Sequence, residues 1–413
     1  LPLVLAPPAH SISVRRRGGA AASAGTLNAA TLAFGADTGT LVFNHTGTDY
    51  DFDAVITSGA GTATINHLSG VTNLTADSSG FTGDTNVTGG TLVVSNALGG
   101  SVVTVNGGTL SIEGGALSNA TGIIGDFDGD TGTVSVTGSG STWTNSGTLT
   151  VGFEGNGTLT VSDGGAVSNV TGFIAREVGS TGAVTVTGTG SSWTNSGTLT
   201  VGGEGAGTLT IADGGAVVSN GTGLIGASIS GTGTVTVTGA NSIWTNNGSL
   251  SVGNLAAAGT LAIANGGLVE NTSGTIGSDS STGTVTVTGE NSTWANTSSL
   301  FVGNQGTGTL TIEDGGAVSN ESGFIGDGVG STGTVKVAGT DSSWTNTALT
   351  VGNEGAGTLT IADGGAVSSS SGFLGNESGS TGTVMVTGAN STWINTGELR
   401  VRQCRHRHVH DCR

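Results

Sequence analysis

Residues 191–201 read Ser-Ser-Trp-Thr-Asn-Ser-Gly-Thr-Leu-Thr-Val, and this stretch decides the fold because it keeps returning. The six tryptophans, Trp143, Trp193, Trp244, Trp294, Trp344 and Trp393, recur about every 50 residues. Each has a serine two positions before it (Ser141, Ser191, Ser242, Ser292, Ser342, Ser391) and an asparagine two positions after it (Asn145, Asn195, Asn246, Asn296, Asn346, Asn395). A fixed period of this length marks a solenoid or an array.

One copy, residues 197–248, reads GTLTVGGEGAGTLTIADGGAVVSNGTGLIGASISGTGTVTVTGANSIWTNNG. It holds six short alternating pieces: 199–201, 209–211, 216–217, 224–225, 235–237 and one centred on Trp244. In a strand, residues i and i+2 face the same side. Leu, Val, Ile and Trp therefore point one way, and Thr, Ser and Asn the other. Strands this short bury their apolar face only by stacking on neighbouring copies.

Six strands in about 50 residues predict two three-sided coils per repeat, stacked in parallel at ~4.8 Å per coil. The tryptophans then fall on alternate coils, inside. A propeller is the structural alternative, but its blades need longer antiparallel strands. Two length changes fit a coil. Val218 reads as an extra residue beside a corner, and the Trp344–Trp393 interval is one residue short at Thr347 and Ala348. A change at a bend leaves the strand faces unflipped.

The unit G-T-L-T-V-G, G-T-L-T-I-A-D-G-G-A-V, G-x-I-G, G-T-V-T-V-T-G, S-x-W-x-N resembles the repeat of type V autotransporter passengers and PEP-CTERM-associated surface proteins. The resemblance covers about 113–399. Residues 81–112, with TNVTGGTLVV and VNGGTLSI, resemble the autotransporter-associated β-strand repeat. The resemblance implies an all-β, right-handed parallel β-helix exported to the bacterial cell surface. Neither a signal peptide nor a C-terminal run of barrel strands is recognisable, so export rests on the resemblance.

The chain divides into an unassigned leader at 1–24, N-terminal coils at 25–112, Trp-marked coils at 113–399 and an aberrant tail at 400–413. The tail carries Cys404, His406, His408, His410 and Cys412. These are zinc-ligand types at a spacing unusual for a structural site. A frame-shifted reading is preferred. Back-translated and shifted by one base, residues 401–413 give Gly-Asn-Ala-Gly-Thr-Gly-Thr-Phe-Thr-Ile-Ala, the next repeat after the pattern of 352–362.

Composition narrows the function classes. Of 413 residues 80 are Gly and 3 are Pro, with no Gly-X-Y period, which excludes collagen. The net charge is −18, and only Arg176 and Lys336 are basic between Arg17 and Arg400. So few cations cannot neutralise a phosphate backbone or hold an anionic membrane surface, which argues against both as partners, and no apolar run reaches the ~18 residues of a membrane-inserted helix. The body has no cysteine, and between Leu68 and Gln403 there is neither His nor Tyr. A Ser–His–Asp or Cys–His machine therefore cannot be built in the repeats.

Other candidate groups have bland readings beside the functional ones. Glu154, Glu204 and Glu354, and Asp163, Asp213, Asp314 and Asp363, recur once per copy like turn residues, whereas a glycosidase pair is unique. Asn265 replaces the corner Asp in one copy. Asp126, Asp128 and Asp130 resemble a calcium-loop fragment but lack the distal Glu, so a solvated turn is preferred. His45 and His67 read as structural or exposed. The tryptophans read as core, against an exposed ladder for sugars, and the Trp-linked asparagines as a ladder between copies.

The expected function is a non-enzymatic surface scaffold that binds an unidentified surface ligand, glycan or matrix protein, or associates laterally with its own kind. No cofactor, metal or catalytic residue is assigned. A carbohydrate-active β-helix is the alternative, with Arg176 its candidate cation; a purely structural surface-layer protein is the third reading.

Overall fold

The computed structural model describes residues 20–402 and two short strands, Leu3–Val4 and His10–Ser13. The Cys/His tail, and with it the zinc and frame-shift readings, lies outside the described residues. Two compact units are present, one ending at Ser196 and the other starting at Gly197. Both are parallel β-helices, right-handed as the resemblance implied, built of three-sided coils without a helix among the described residues.

In the first unit one face stacks seven strands: Tyr50–Phe52, Val71–Leu74, Thr91–Val94, Thr109–Glu113, Thr131–Thr137, Asn156–Ser162 and Thr181–Thr187. In the second unit the same face stacks eight, from Ala206–Ala212 to Thr381–Thr387. The second face carries the tryptophan strands and the third the Gly-x-Ile strands. Pairing runs unbroken past residue 113, where Thr91–Val94, Thr109–Glu113 and Thr131–Thr137 lie side by side.

All six expected pieces of residues 197–248 are strands: Leu199–Val201, Ala206–Ala212, Ala216–Ser219, Gly223–Ile225, Thr232–Thr238 and Ile243–Asn246. Register is residue on residue one coil apart. Trp143 pairs with Val167 and Val167 with Trp193; further on, Val217, Trp244, Val269, Trp294, Val318, Trp344, Val367 and Trp393 follow one another. The tryptophans thus sit on alternate coils. Trp143, Trp193, Trp244, Trp294 and Trp344 are 0% exposed, so the core reading holds and a sugar-stacking ladder is excluded for them. Trp393 is half-buried on the last described coil.

The corners follow from local chemistry. Asp163 has φ 54° and Gly164 87°, and Asp213, Asn265, Asp314 and Asp363 repeat that pair with the glycine after them. Two successive left-handed residues reverse the chain tightly, and Asp, Asn and Gly tolerate them best. The serine before each tryptophan pins such a corner on the preceding coil. Ser141 Oγ accepts from the Gly114 amide at 2.7 Å, and Ser242 Oγ from Gly214 at 3.0 Å while donating to Thr238 O.

The extra residue sits elsewhere than expected. Val218 lies inside a strand, paired with Thr245, and the added length is taken up by the corner Asn220, Gly221 and Thr222, where Val170 alone turns the corner in the copy before. A bend absorbs the insertion because a strand could not without reversing its faces. The shortened copy behaves as expected: Thr347 is a corner and Ala348–Val351 keeps register with Ser371–Leu374.

Candidate functional site

Inside the coils the distinctive residues are joined in a polar ladder. Asn169, on the coil before Trp193, accepts from the indole Nε1 at 2.7 Å and donates through Nδ2 to Asn195 Oδ1 at 2.7 Å. Asn119 does the same for Trp143 and Asn145, Asn271 for Trp294 and Asn296, and Asn320 for Trp344 and Asn346. All four are buried. A buried indole N–H needs such a partner. The asparagines after the tryptophans are therefore structural, but they do not bond copy to copy as expected: Asn145, Asn195, Asn296 and Asn346 each accept from the coil before, and the buried Nδ2 of Asn145, Asn195 and Asn346 has no partner to carry the ladder on. The series that receives the indole, Asn119, Asn169, Asn271 and Asn320, was missed from sequence. Its signal is the Asn closing Ala-Val-Ser-Asn, blurred because Ser219 and Ser369 replace it in two copies.

The third face supplies the room for each indole. A Cβ on Gly274 would stand 2.7 Å from Trp294 Cζ2 and 2.6 Å from Asn296 Oδ1; Gly323 meets Trp344 and Asn346 in the same way. The glycine of Gly-x-Ile is thus a socket for a tryptophan one coil on.

The histidines are brought together in the first unit, their rings 6.4 Å apart and fully buried. The Gly47 amide donates to His45 Nδ1 at 3.1 Å, so His45 Nε2–H donates to Thr72 Oγ1 at 2.9 Å. His67 Nδ1–H donates to Gly89 O at 2.7 Å, leaving Nε2 to accept from Thr72 at 3.2 Å. Both imidazoles are neutral in this relay. Burial pushes His67 down to about 4 against the opposing bond to Gly89 O, and burial also lowers His45. Every donor in the relay has an acceptor within the fold, which makes it a structural device.

The acidic candidates do not converge. Among the described residues no three His, Cys, Asp or Glu side chains gather as a metal site. Burial and the charge of Asp130 raise Asp126, which sits in an open turn with Asp128. Arg176 pairs with Glu177 at 3.3 Å and lies over Phe153 and Phe173, 5.1 and 5.0 Å from the ring centroids.

The most distinctive outer feature is a column on the third face, half-buried at most positions and buried at Thr150, Thr200 and Thr350. The residues before Ile or Val in its strands point outward, one coil apart: Ile123, Thr150 and Phe173 in the first unit. In the second they are Thr200, Leu224, Ser251, Thr275, Phe301, Phe324, Thr350 and Phe373. Phe301 and Phe324 stack face to face, 5.0 Å apart and 9° from parallel. Asn and Asp follow in the adjoining corner, where Asn376 Nδ2 donates to Asn353 Oδ1 and Asn353 Nδ2 to Asp327 Oδ1, each at 2.9 Å. Outward Phe is legible in the sequence only once strand phase is known.

The class these features define is a parallel β-helix with a tryptophan–asparagine interior. No protein-family model matches the chain, and no curated protein matches it. It is similar to a solved structure, the crystal structure of a TibC-catalysed hyper-glycosylated TibA fragment, at 17% identity over 96% of this chain and 98% of that one, with a TM-score of 0.43. At that score the likeness adds nothing to the architecture described above.

Proposed function

We propose that the chain is a non-enzymatic cell-surface scaffold of the autotransporter-passenger kind, acting as an adhesin through reach and repetition. One observation carries the reading: Trp, Asn and Ser of the first five Trp-marked repeats are buried inside the stack, and Asp163, Asp213, Asp314 and Asp363 recur singly at left-handed corners. What remains outside repeats Thr- and Ser-rich strand faces, while the third-face column varies between Thr, Ser, Ile, Leu and Phe. Each coil adds ~4.8 Å of length and another copy of that surface. Many weak contacts of one kind then sum to strong attachment, provided they engage together.

The test is to couple the purified chain to beads and measure retention on immobilised glycans and matrix proteins, and bead clumping in their absence. Retention supports adhesion, and clumping alone supports lateral self-association. Release of reducing ends from polysaccharide by the chain would overturn the non-enzymatic reading.

A further inference from the structure

In the second unit the seven-residue strands of the first face turn every other residue outward, and their pairing keeps these residues in line from coil to coil without a bulge. The second outward position is threonine on every one of the eight coils, from Thr208 through Thr260 and Thr334 to Thr383. The outward positions on either side of that column hold threonine or alanine, apart from Lys336 and Met385. Neighbouring coils set the column's threonines ~4.8 Å apart, and outward neighbours along one strand stand ~6.6 Å apart. β-Branched side chains keep few χ1 states, so this grid is ordered before anything binds to it.

The hydroxyls of the threonine column are free. Among the described residues none of them bonds to another group of the protein. At the edge of the same face the hydroxyls are engaged: Thr238 Oγ1 accepts from Asn265 Nδ2 at 2.9 Å, and Thr288 Oγ1 donates to Asp314 at 3.5 Å. Most of the column is exposed, with Thr284 and Thr309 half-buried. Charge is nearly absent from the face. The chain carries a net −18, yet only Glu313 and Lys336 stand at these outward positions, and they pair with each other at 3.9 Å.

A neutral grid gives an ionic partner nothing to complement. It also offers a sugar ring no aromatic side chain to stack on. Each threonine does present water with a methyl group and with a hydroxyl that both donates and accepts. Rigid rows of such groups order the first layer of water in two directions, at repeats close to those of the oxygens on a prism face of ice.

We propose that this face of the second unit binds ice, its ordered water layer freezing onto the crystal. The methyl groups shape the water cage and the hydroxyls anchor it. The inference is independent of the adhesin reading, which concerns glycan and protein ligands.

The labelled full chain is mixed with serum albumin, ice is grown slowly from the solution on a cold finger, and the two proteins are measured in the ice. The chain should be enriched several-fold over albumin, and single ice crystals growing in its solution should become faceted. Thr260→Lys combined with Thr334→Lys should return it to the albumin level with unchanged circular dichroism, since the same face already carries Lys336. Thr345→Lys, at an exposed position on the tryptophan face, should leave the enrichment unaltered. Thr234→Ser, Thr260→Ser, Thr334→Ser and Thr358→Ser together keep the hydroxyls and remove the methyl groups, and should lower enrichment several-fold. Exclusion of the unaltered chain from ice overturns the proposal. Equal loss in Thr345→Lys overturns it too, by removing the face from the effect, and full retention in the serine variant overturns the role of the grid. Two copies pairing through this face are the rival: a dimer in sedimentation velocity that the lysine pair dissociates, with no enrichment in ice, overturns ice binding in favour of self-association.

Discussion

Changing Ser219 to asparagine should make the protein more stable. At this ladder position Trp244 Nε1 reaches Ser219 Oγ at 3.4 Å, whereas Trp294 reaches Asn271 Oδ1 at 2.6 Å. The next link is missing too. Asn246 Oδ1 is buried without a partner, although its Nδ2 donates to Gly248 O and Ser249 O. An asparagine at 219 would accept from the indole and donate to that orphan oxygen, completing what Asn271 completes for Asn296. Tightening one buried hydrogen bond contributes about 1 kcal/mol, and relieving an unpaired acceptor about 1–3 kcal/mol. Ordering the longer side chain costs about 1 kcal/mol. The net gain is about 2 kcal/mol, or about 30-fold in the local opening equilibrium. Stability in a coil stack is local, so a global melting point is the wrong readout. Native-state hydrogen exchange on Gly223–Ile225, Ile243–Asn246 and Leu250–Val252 is the right one. Ser219→Ala, which removes only the long bond, should lower protection slightly. Unchanged or reduced protection in Ser219→Asn would refute the ladder as a source of stability.

Three further outcomes are expected. Acid should loosen the N-terminal coils. His67 is held down to about 4 against an ordinary 6.5, so the unfolded chain binds more protons between those values. Its contribution is full above pH ~6.5 and is lost on acidification toward ~4, ~3 kcal/mol in all; exchange at Ala63–Ser69 between pH 7.5 and 4.5 should show it, and His67→Gln should flatten the dependence. Gly274→Ala should cost about 1–3 kcal/mol by overpacking Trp294, read as lost protection in Thr293–Asn296. Asp314→Ala should cost about 1 kcal/mol because φ is 53°, while Asp314→Gly stays within a few tenths, as expected of a turn residue.

The sequence by itself determined the period, the three-sided coil, the inward tryptophans and the corners. Each is a local consequence: alternation sets strand faces, and Asp-Gly-Gly sets the left-handed bends. The tertiary structure alone decided who meets whom across coils. His45 and His67 face one Thr72, and Phe301 stacks on Phe324, because one turn of the helix advances 24 residues at the first place and 23 at the second. Ser219 landed on the ladder, and Asn220 off it, because the inserted length went into the corner and left the strand register intact. In a parallel stack the neighbours are one coil away, and coil length varies with every bend, so no fixed spacing in the chain announces them.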